Sequence, residues 1–121
     1  MVFDVLDYSG TRDVLSEATW LTKAGNGTPG NHPEIREYLP QIRLAIQSPD
    51  LVFESTRDSR SHAFYLLECG RDEYVGKHLV VIVKYVEEPS GVCGYISTIY
   101  LTRSVHAKGR LLWQKMAKID D

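Results

Sequence analysis

Four apolar runs, rich in β-branched and aromatic residues, constrain the fold of this chain more than any other feature. They are LVFEST, SHAFYLLEC, KHLVVIVKYVEE and CGYISTIYLTR, within residues 51–103. The short polar connections GRDEYVG and PSGVCG are typical of antiparallel neighbours. The segment HLVVIVKYV is apolar on both alternating sets of positions, which indicates a central strand covered on both faces. The sequence therefore predicts an antiparallel four-stranded sheet.

The first half of the chain predicts helices. Ser16 suits the N-cap of a short helix that stops at Gly25. A second helix is predicted to begin at Asn31, because Glu34 three residues later completes a capping box and Pro33 fits the first turn.

This second helix presents one apolar stripe, formed by Ile35, Tyr38, Leu39, Ile42, Ala45 and Ile46. Pro40 lies on the opposite face and predicts a kink or a restart. Before the helices, FDVLDYS alternates apolar and polar residues well enough for a short strand. Near the other end of the chain, the apolar residues 111–113 are expected to form a cluster that docks on the rest of the fold. The expected fold class is α+β, with N-terminal helices packed on an antiparallel four-stranded sheet.

Size and composition narrow the class of protein. A length of 121 residues predicts a single domain over residues 1–121. The longest apolar run, LVVIV, is far shorter than a membrane span, and the first residues lack the basic and apolar regions of a leader. Cys69 and Cys93 form no C-x-x-C pair. The expected location is cytoplasmic, and the net charge of -2 gives no overall attraction to nucleic acid.

A G-x-G-x-x-G pattern occurs at Gly25, Gly27 and Gly30. In dinucleotide-binding proteins a strand enters this loop within a βαβ unit. Here a helix is predicted to enter it, and Pro29 would stiffen the loop where a pyrophosphate must approach. We therefore interpret the glycines as a connection and predict no cofactor.

His32 follows this glycine-rich segment and is expected at the edge of the core-facing side of the second helix. The first turn of a helix attracts phosphate and lowers the pKa of an imidazole, so a neutral His32 would suit a general base. The alternative is a histidine that only bonds a neighbouring carbonyl.

The segments NHPEIREYLPQIRLAIQSPDLVFES, FYLLE, HLVVIVKYVEE and GYISTIYLTR, taken in order, resemble a known family. They are similar to phage-associated members of the barnase, EndoU, colicin E5/D and RelE-like (BECR) superfamily of RNases. The shared motifs are an HPE helix, a P-D-x-V strand start, a V-V-V-K strand and a last strand with T-x-Y. The resemblance covers roughly residues 14–113.

The resemblance implies a toxin-like α+β RNase that cleaves RNA without a cofactor, through attack of the ribose 2′-hydroxyl on the adjacent phosphate. It implies RNA and a neutralising antitoxin protein as partners. The residues that match its motifs are His32 and Glu34 in the helix, Lys84 after the valine strand, and Thr98, Tyr100 and Thr102 in the last strand.

Such a reaction needs a base, an acid and positive charge around the phosphorane. Lys84 is the one charge within an apolar strand and suits a phosphate, although a solvated strand-end lysine explains it equally well. Further candidates for RNA or phosphate binding are Arg57, Arg60 and His62 in a basic stretch, which solvated turn charges also explain, and Tyr65, Arg103 and Lys108.

The four histidines show no spacing typical of a metal site, so no metal is predicted. The slight acidity of the chain departs from the basic character expected of toxin-type RNases. A second hypothesis is therefore a non-catalytic module that binds RNA or a protein on the sheet.

Overall fold

The computed structural model describes residues 1–25, 32–106 and 108–116. Its strands are β1 (Phe3–Leu6), β2 (Arg12–Leu15), β3 (Leu51–Glu54), β4 (Ser61–Leu66), β5 (His78–Glu88), β6 (Gly91–Thr102) and β7 (Leu111–Gln114). Its helices are α1 (Glu17–Ala24) and α2 (Leu39–Gln47), with short 3-10 helices at Pro33–Tyr38 and Asp72–Tyr74. All seven strands form one sheet in the order β1-β2-β6-β5-β4-β3-β7.

The prediction of helices packed on a four-stranded antiparallel sheet is wrong. The four predicted runs form β3 to β6, but the sheet is seven-stranded and mixed. β2 pairs with β6 in parallel, β1 pairs with β2, and β7 extends the other edge by pairing with β3. The described residues include more strand than helix. The apolar cluster predicted to dock at residues 111–113 lies in the edge strand β7. β1 confirms the short strand predicted within FDVLDYS. β2 and β7 have four residues each, too few for alternation to identify them reliably.

The helices agree with their local signals where the structure describes them. The Ser16 hydroxyl accepts a hydrogen bond from the Thr19 N–H and caps α1. The second helix restarts as predicted, because Pro40 lies in the first turn of α2 and a 3-10 helix precedes it. The predicted cap at Asn31 and the glycine positions 27 and 30 lie outside the described residues.

A β-bulge at Ser97 changes the alternation of β6. The partner of Ile82 is Thr98, whereas the partner of Val83 is Ile96, so Ser97 is the extra residue. Ile96 and Ile99 consequently face the same core, and Tyr95 pairs with Lys84. Strict two-residue alternation along β6 would place Tyr95 and Ile99 on one face, whereas the bulge puts them on opposite faces.

The main core lies between the sheet and the helices. It contains the predicted stripe of the second helix, in which Ile35, Ile42 and Ile46 are fully buried, together with Phe64, Leu79, Val81 and Val83 of the sheet. A smaller cluster of Phe53, Tyr65 and Val80 lies on the other face. Among the described residues, no helix is both long and apolar enough to cross a membrane.

The turn after β1 folds across the helix-bearing side of the sheet. The ring of Tyr8 lies 5.3 Å from that of Trp113 in β7 and 5.6 Å from that of Phe64, measured between centroids. Since β1 and β7 are the two edges of the sheet, this contact shows that the sheet is strongly coiled.

Candidate functional site

The sheet face on which none of the described helices packs, called here the open face, presents most of the predicted site residues. Tyr100 of β6 is opposite Val80 of β5, Thr98 is opposite Ile82, and Thr102 is opposite His78. Lys84 lies further along β5 on the same face, since side chains two apart share a face. Lys84, Thr98, Tyr100 and Thr102 therefore lie on one face of the sheet.

His32 lies at the edge of the open face. Its ring centroid is 6.2 Å from that of Tyr100. The His32 Nδ1 atom is 3.3 Å from Oε1 of Glu34, and the His32 side chain is 38% exposed. β2 pairs only with residues 93–95 of β6, which leaves this end of the strand free for the segment that carries His32. An imidazole oriented by a carboxylate thus reaches the predicted aromatic residue.

A groove of about 330 Å³ lies beside Tyr100 on the open face. Tyr65 and Phe53 form its buried floor, and Arg57 and Lys108 contribute cations. Tyr65 is only 2% exposed, and its hydroxyl accepts a hydrogen bond from the His106 N–H. Tyr65 therefore supports the groove, whereas the half-buried Tyr100 offers the accessible ring.

Lys84 is not brought to His32. Its Nζ atom lies 3.5 Å from Oδ2 of Asp58, which also bonds Arg60. Lys84 is four positions along β5 from Val80, the partner of Tyr100, which corresponds to about 13 Å along the strand. Lys84 and His32 therefore meet different parts of any ligand on the open face.

The basic stretch at the β3–β4 turn is divided between the two faces of the sheet. Arg57 lines the groove on the open face, whereas Arg60 and His62 line a hollow on the helix-bearing side. The His62 ring packs on that of Tyr85, with 4.8 Å between centroids. Arg103 is exposed just after β6. These side chains do not form the single phosphate grip that the sequence suggested.

A buried pair of carboxyl groups, which the sequence reasoning missed, lies on the helix-bearing side. Asp13 is fully buried and Asp7 is 6% exposed. The Tyr85 hydroxyl donates to Asp7 Oδ2 at 2.6 Å and lies 3.4 Å from Asp13 Oδ2. Asp7 Oδ1 accepts hydrogen bonds from the Ser9 N–H at 2.9 Å, the Ser9 hydroxyl at 2.6 Å and the Thr11 N–H at 3.1 Å.

The pKa values of the two carboxyl groups are shifted in opposite directions. Burial raises the pKa of Asp13 to about 9, and the adjacent Asp7 carboxylate adds to the rise. Burial alone would raise the pKa of Asp7 too, but hydrogen bonds from Asp13, Ser9, Tyr85 and Thr11 lower it below its ordinary value. At neutral pH, Asp13 is therefore the neutral donor and Asp7 the charged acceptor.

The sequence holds one signal for this pair. Both carboxyl groups occur in short apolar segments, FDVLD and RDVL, where Asp13 has the same phase as the core residue Leu15. Gly94 is the partner of Asp13 across the parallel strands. A methyl group at Gly94 would overlap Asp13 Oδ1 and lie 2.7 Å from Val83 Cγ1, so the glycine makes room for the carboxyl group.

Within residues 1–25, 32–106 and 108–116, no three His, Cys, Asp or Glu side chains cluster in a way that could hold a metal ion. Comparison of the chain with known proteins gave no match to a family model, to a curated protein or to a solved structure. The resemblance to BECR nucleases thus stays a prediction.

Proposed function

We propose that the chain is a metal-independent endoribonuclease that binds single-stranded RNA on the open face. It cleaves by attack of a ribose 2′-hydroxyl on the adjacent phosphate. This step forms a 2′,3′-cyclic phosphate and breaks the bond between phosphorus and the 5′-oxygen, which leaves as a hydroxyl with a proton taken from water. The observation that carries this proposal is the imidazole of His32, oriented by Glu34 and adjacent to the ring of Tyr100. Two unpaired cysteines, Cys69 and Cys93, support a cytoplasmic location.

The pair of His32 and Glu34 suits a general base. When Nδ1–H donates to the Glu34 carboxylate, the proton is held on Nδ1, and Nε2 keeps a free lone pair. An Nε2 atom in this state can take the proton of a 2′-hydroxyl. The reaction needs no external nucleophile, since RNA carries its own, and therefore requires no metal-bound water.

The groove beside Tyr100 suits an unpaired nucleotide. A base can stack on the accessible ring, as single-stranded RNA does on aromatic side chains elsewhere. Thr98 and Thr102 flank Tyr100 on the same face with hydroxyl groups. Arg57 and Lys108 line the groove and supply positive charge for the phosphate and for the phosphorane that forms from it.

Lys84 has a separate role in this proposal. Its position on β5 puts it at a phosphate other than the one beside Tyr100. It would hold the RNA strand in register and would not stabilise the reacting phosphorane. A neutralising antitoxin protein would act by covering the same open face.

The test is cleavage of total RNA in the presence of EDTA, with the products analysed for 2′,3′-cyclic phosphate ends. We expect His32→Ala to slow cleavage by roughly 10²- to 10⁴-fold, the usual contribution of a general base. Glu34→Gln should also slow it, whereas Glu37→Gln, an exposed change in the same 3-10 helix, should not.

Two other outcomes would contradict the proposed cleavage. Intact RNA combined with salt-sensitive binding that Tyr100→Ala abolishes would identify the non-catalytic RNA-binding module instead. Neither cleavage nor binding of RNA would overturn both assignments.

A further inference from the structure

A hollow of about 500 Å³ opens on the helix-bearing side of the sheet, at the end that α2 does not cover. It is called here the Tyr85 pocket. The residues that line it include Tyr8, Ser9, Thr11, Arg60, His62 and Tyr85. Its volume falls in the usual range for small-molecule sites. The open face, by contrast, contributes none of these residues, so the pocket is distinct from the proposed RNA groove.

Aromatic rings form one wall of the Tyr85 pocket, and other rings hold them in place. The His62 ring packs on Tyr85, and Tyr8 is fixed from behind by Phe64 and Trp113. Burial lowers the pKa of His62, although the charges of Glu54 and Asp7 oppose this shift, so the imidazole is neutral near pH 7. The wall therefore offers uncharged π faces to a planar ligand.

The polar end of the pocket is rich in hydrogen-bond acceptors. Asp7 lies behind it and accepts a hydrogen bond from the Ser9 hydroxyl at 2.6 Å. The lone pairs of the Ser9 oxygen then remain for another donor. The Thr11 hydroxyl lies 3.2 Å from that of Ser9 and adds a second oxygen. This end of the pocket suits a ligand that carries N–H groups.

Arg60 is a cation that lines the pocket. It shares the carboxylate of Asp58, at 3.4 Å, with Lys84 of the open face, at 3.5 Å. Because Asp58 is divided between two cations, it offsets the charge of Arg60 only in part, and the Arg60 side chain is 63% exposed. A guanidinium in this setting can reach a phosphate group.

We propose that the Tyr85 pocket binds a nucleotide whose base carries an exocyclic amino group. The base lies against the Tyr8, His62 and Tyr85 wall, its amino group donates to the Ser9 and Thr11 oxygens, and its phosphate bonds Arg60. The nucleotide is either free or one unit of an RNA strand that crosses the β3–β4 turn from Arg57 on one face to Arg60 on the other.

The test is isothermal titration calorimetry of the full chain with AMP and, in parallel, with UMP. We expect saturable AMP binding and at least tenfold weaker UMP binding, because uracil lacks the exocyclic amino group. Arg60→Ala and Ser9→Ala should each weaken AMP binding at least fivefold. Arg43→Ala, an exposed change on α2, should leave it unchanged.

Absence of AMP binding, equal affinity for AMP and UMP, or AMP binding that neither Arg60→Ala nor Ser9→Ala weakens would overturn the proposal. Unfolding curves of each variant separate loss of the site from loss of the fold. Arg60→Ala should not disturb folding, since this side chain is on an exposed turn.

A second titration with a short adenine-rich oligonucleotide separates the two sources of the nucleotide. Weaker oligonucleotide binding in both Arg60→Ala and Tyr100→Ala would identify the pocket as a subsite for RNA. If Arg60→Ala weakens AMP but not oligonucleotide binding, the pocket takes a free nucleotide. The AMP titration does not depend on RNA cleavage, so failure of the proposed ribonuclease activity would leave this result intact.

Discussion

The Tyr85 hydroxyl donates to the Asp7 carboxylate across 2.6 Å, although 78 residues separate them in the chain. This hydrogen bond joins the central strand β5 to the turn that follows the edge strand β1. Asp7 also takes three hydrogen bonds from its own turn, so the contact with Tyr85 is the one that ties this turn to β5. A buried polar group therefore helps to hold the N-terminal strands on the sheet.

Tyr85→Phe should lower the free energy of unfolding by about 1–3 kcal/mol, because the change removes a donor from a buried carboxylate and leaves the ring in place. Urea denaturation measures this difference. Tyr95→Phe is the matched control, since that exposed hydroxyl bonds Glu88 at 2.8 Å and should contribute far less. Equal losses in the two variants would contradict a special role for the Tyr85 hydroxyl.

Asp13→Asn should change how stability depends on pH. The folded chain keeps a proton on Asp13 up to about pH 9, whereas the unfolded chain releases it near the ordinary pKa of 3.8. Between these values the folded state binds more protons, so Asp13 makes stability fall as pH rises, by at most about 1.4 kcal/mol per pH unit. Asparagine does not titrate, so the stability of the variant relative to the parent should improve from pH 5.5 to pH 8.5.

Denaturation curves at those two pH values check this prediction. Asp4→Asn provides the control, because its exposed partner Arg12 lowers the pKa of Asp4 and leaves it charged throughout this range. A stability difference between Asp13→Asn and the parent that stays constant with pH would show that Asp13 is ionised in the folded state.

Gly94→Ala should destabilise the fold by about 1–3 kcal/mol, the usual cost of an overpacked site. The new methyl group would meet the Asp13 carboxyl oxygen and Val83, both fully buried. Thermal unfolding monitored by circular dichroism gives the comparison. Val75→Ala, at a 74% exposed position, should have little effect, and an unchanged melting temperature for Gly94→Ala would contradict the tight packing around Asp13.

Arg57→Ala should reduce the salt dependence of RNA binding. If Arg57 neutralises one phosphate in the open-face groove, its loss should lower the slope of log affinity against log salt by about 0.7, the value for one contact to a single strand. Fluorescence anisotropy with a labelled oligonucleotide at several salt concentrations measures the slope. Arg12→Ala, whose guanidinium is already bound to Asp4, should leave the slope unchanged.

Local sequence patterns determined those helices and strands that are long enough to show a hydrophobic period. The apolar stripe from Ile35 to Ile46 is buried as its helical spacing predicts. The Ser16 cap and the restart at Pro40 follow from side-chain chemistry within one turn. The two-residue period also placed Thr98, Tyr100 and Thr102 on one side of their strand, because a strand alternates its side chains whatever its neighbours are.

Only the tertiary structure decided how those elements are combined. β2 has four residues, and its parallel partner lies about 80 positions later in the chain, so no periodicity could reveal the pairing. The bulge at Ser97 depends on the pairing of β5 with β6. The meeting of Asp7, Asp13 and Tyr85 depends on how the N-terminal strands join these two strands. A hydrophobic period reports only which side chains of one segment are buried and which are exposed. A strand register, a shifted pKa or a pocket depends on which residues from distant parts of the chain lie around that segment.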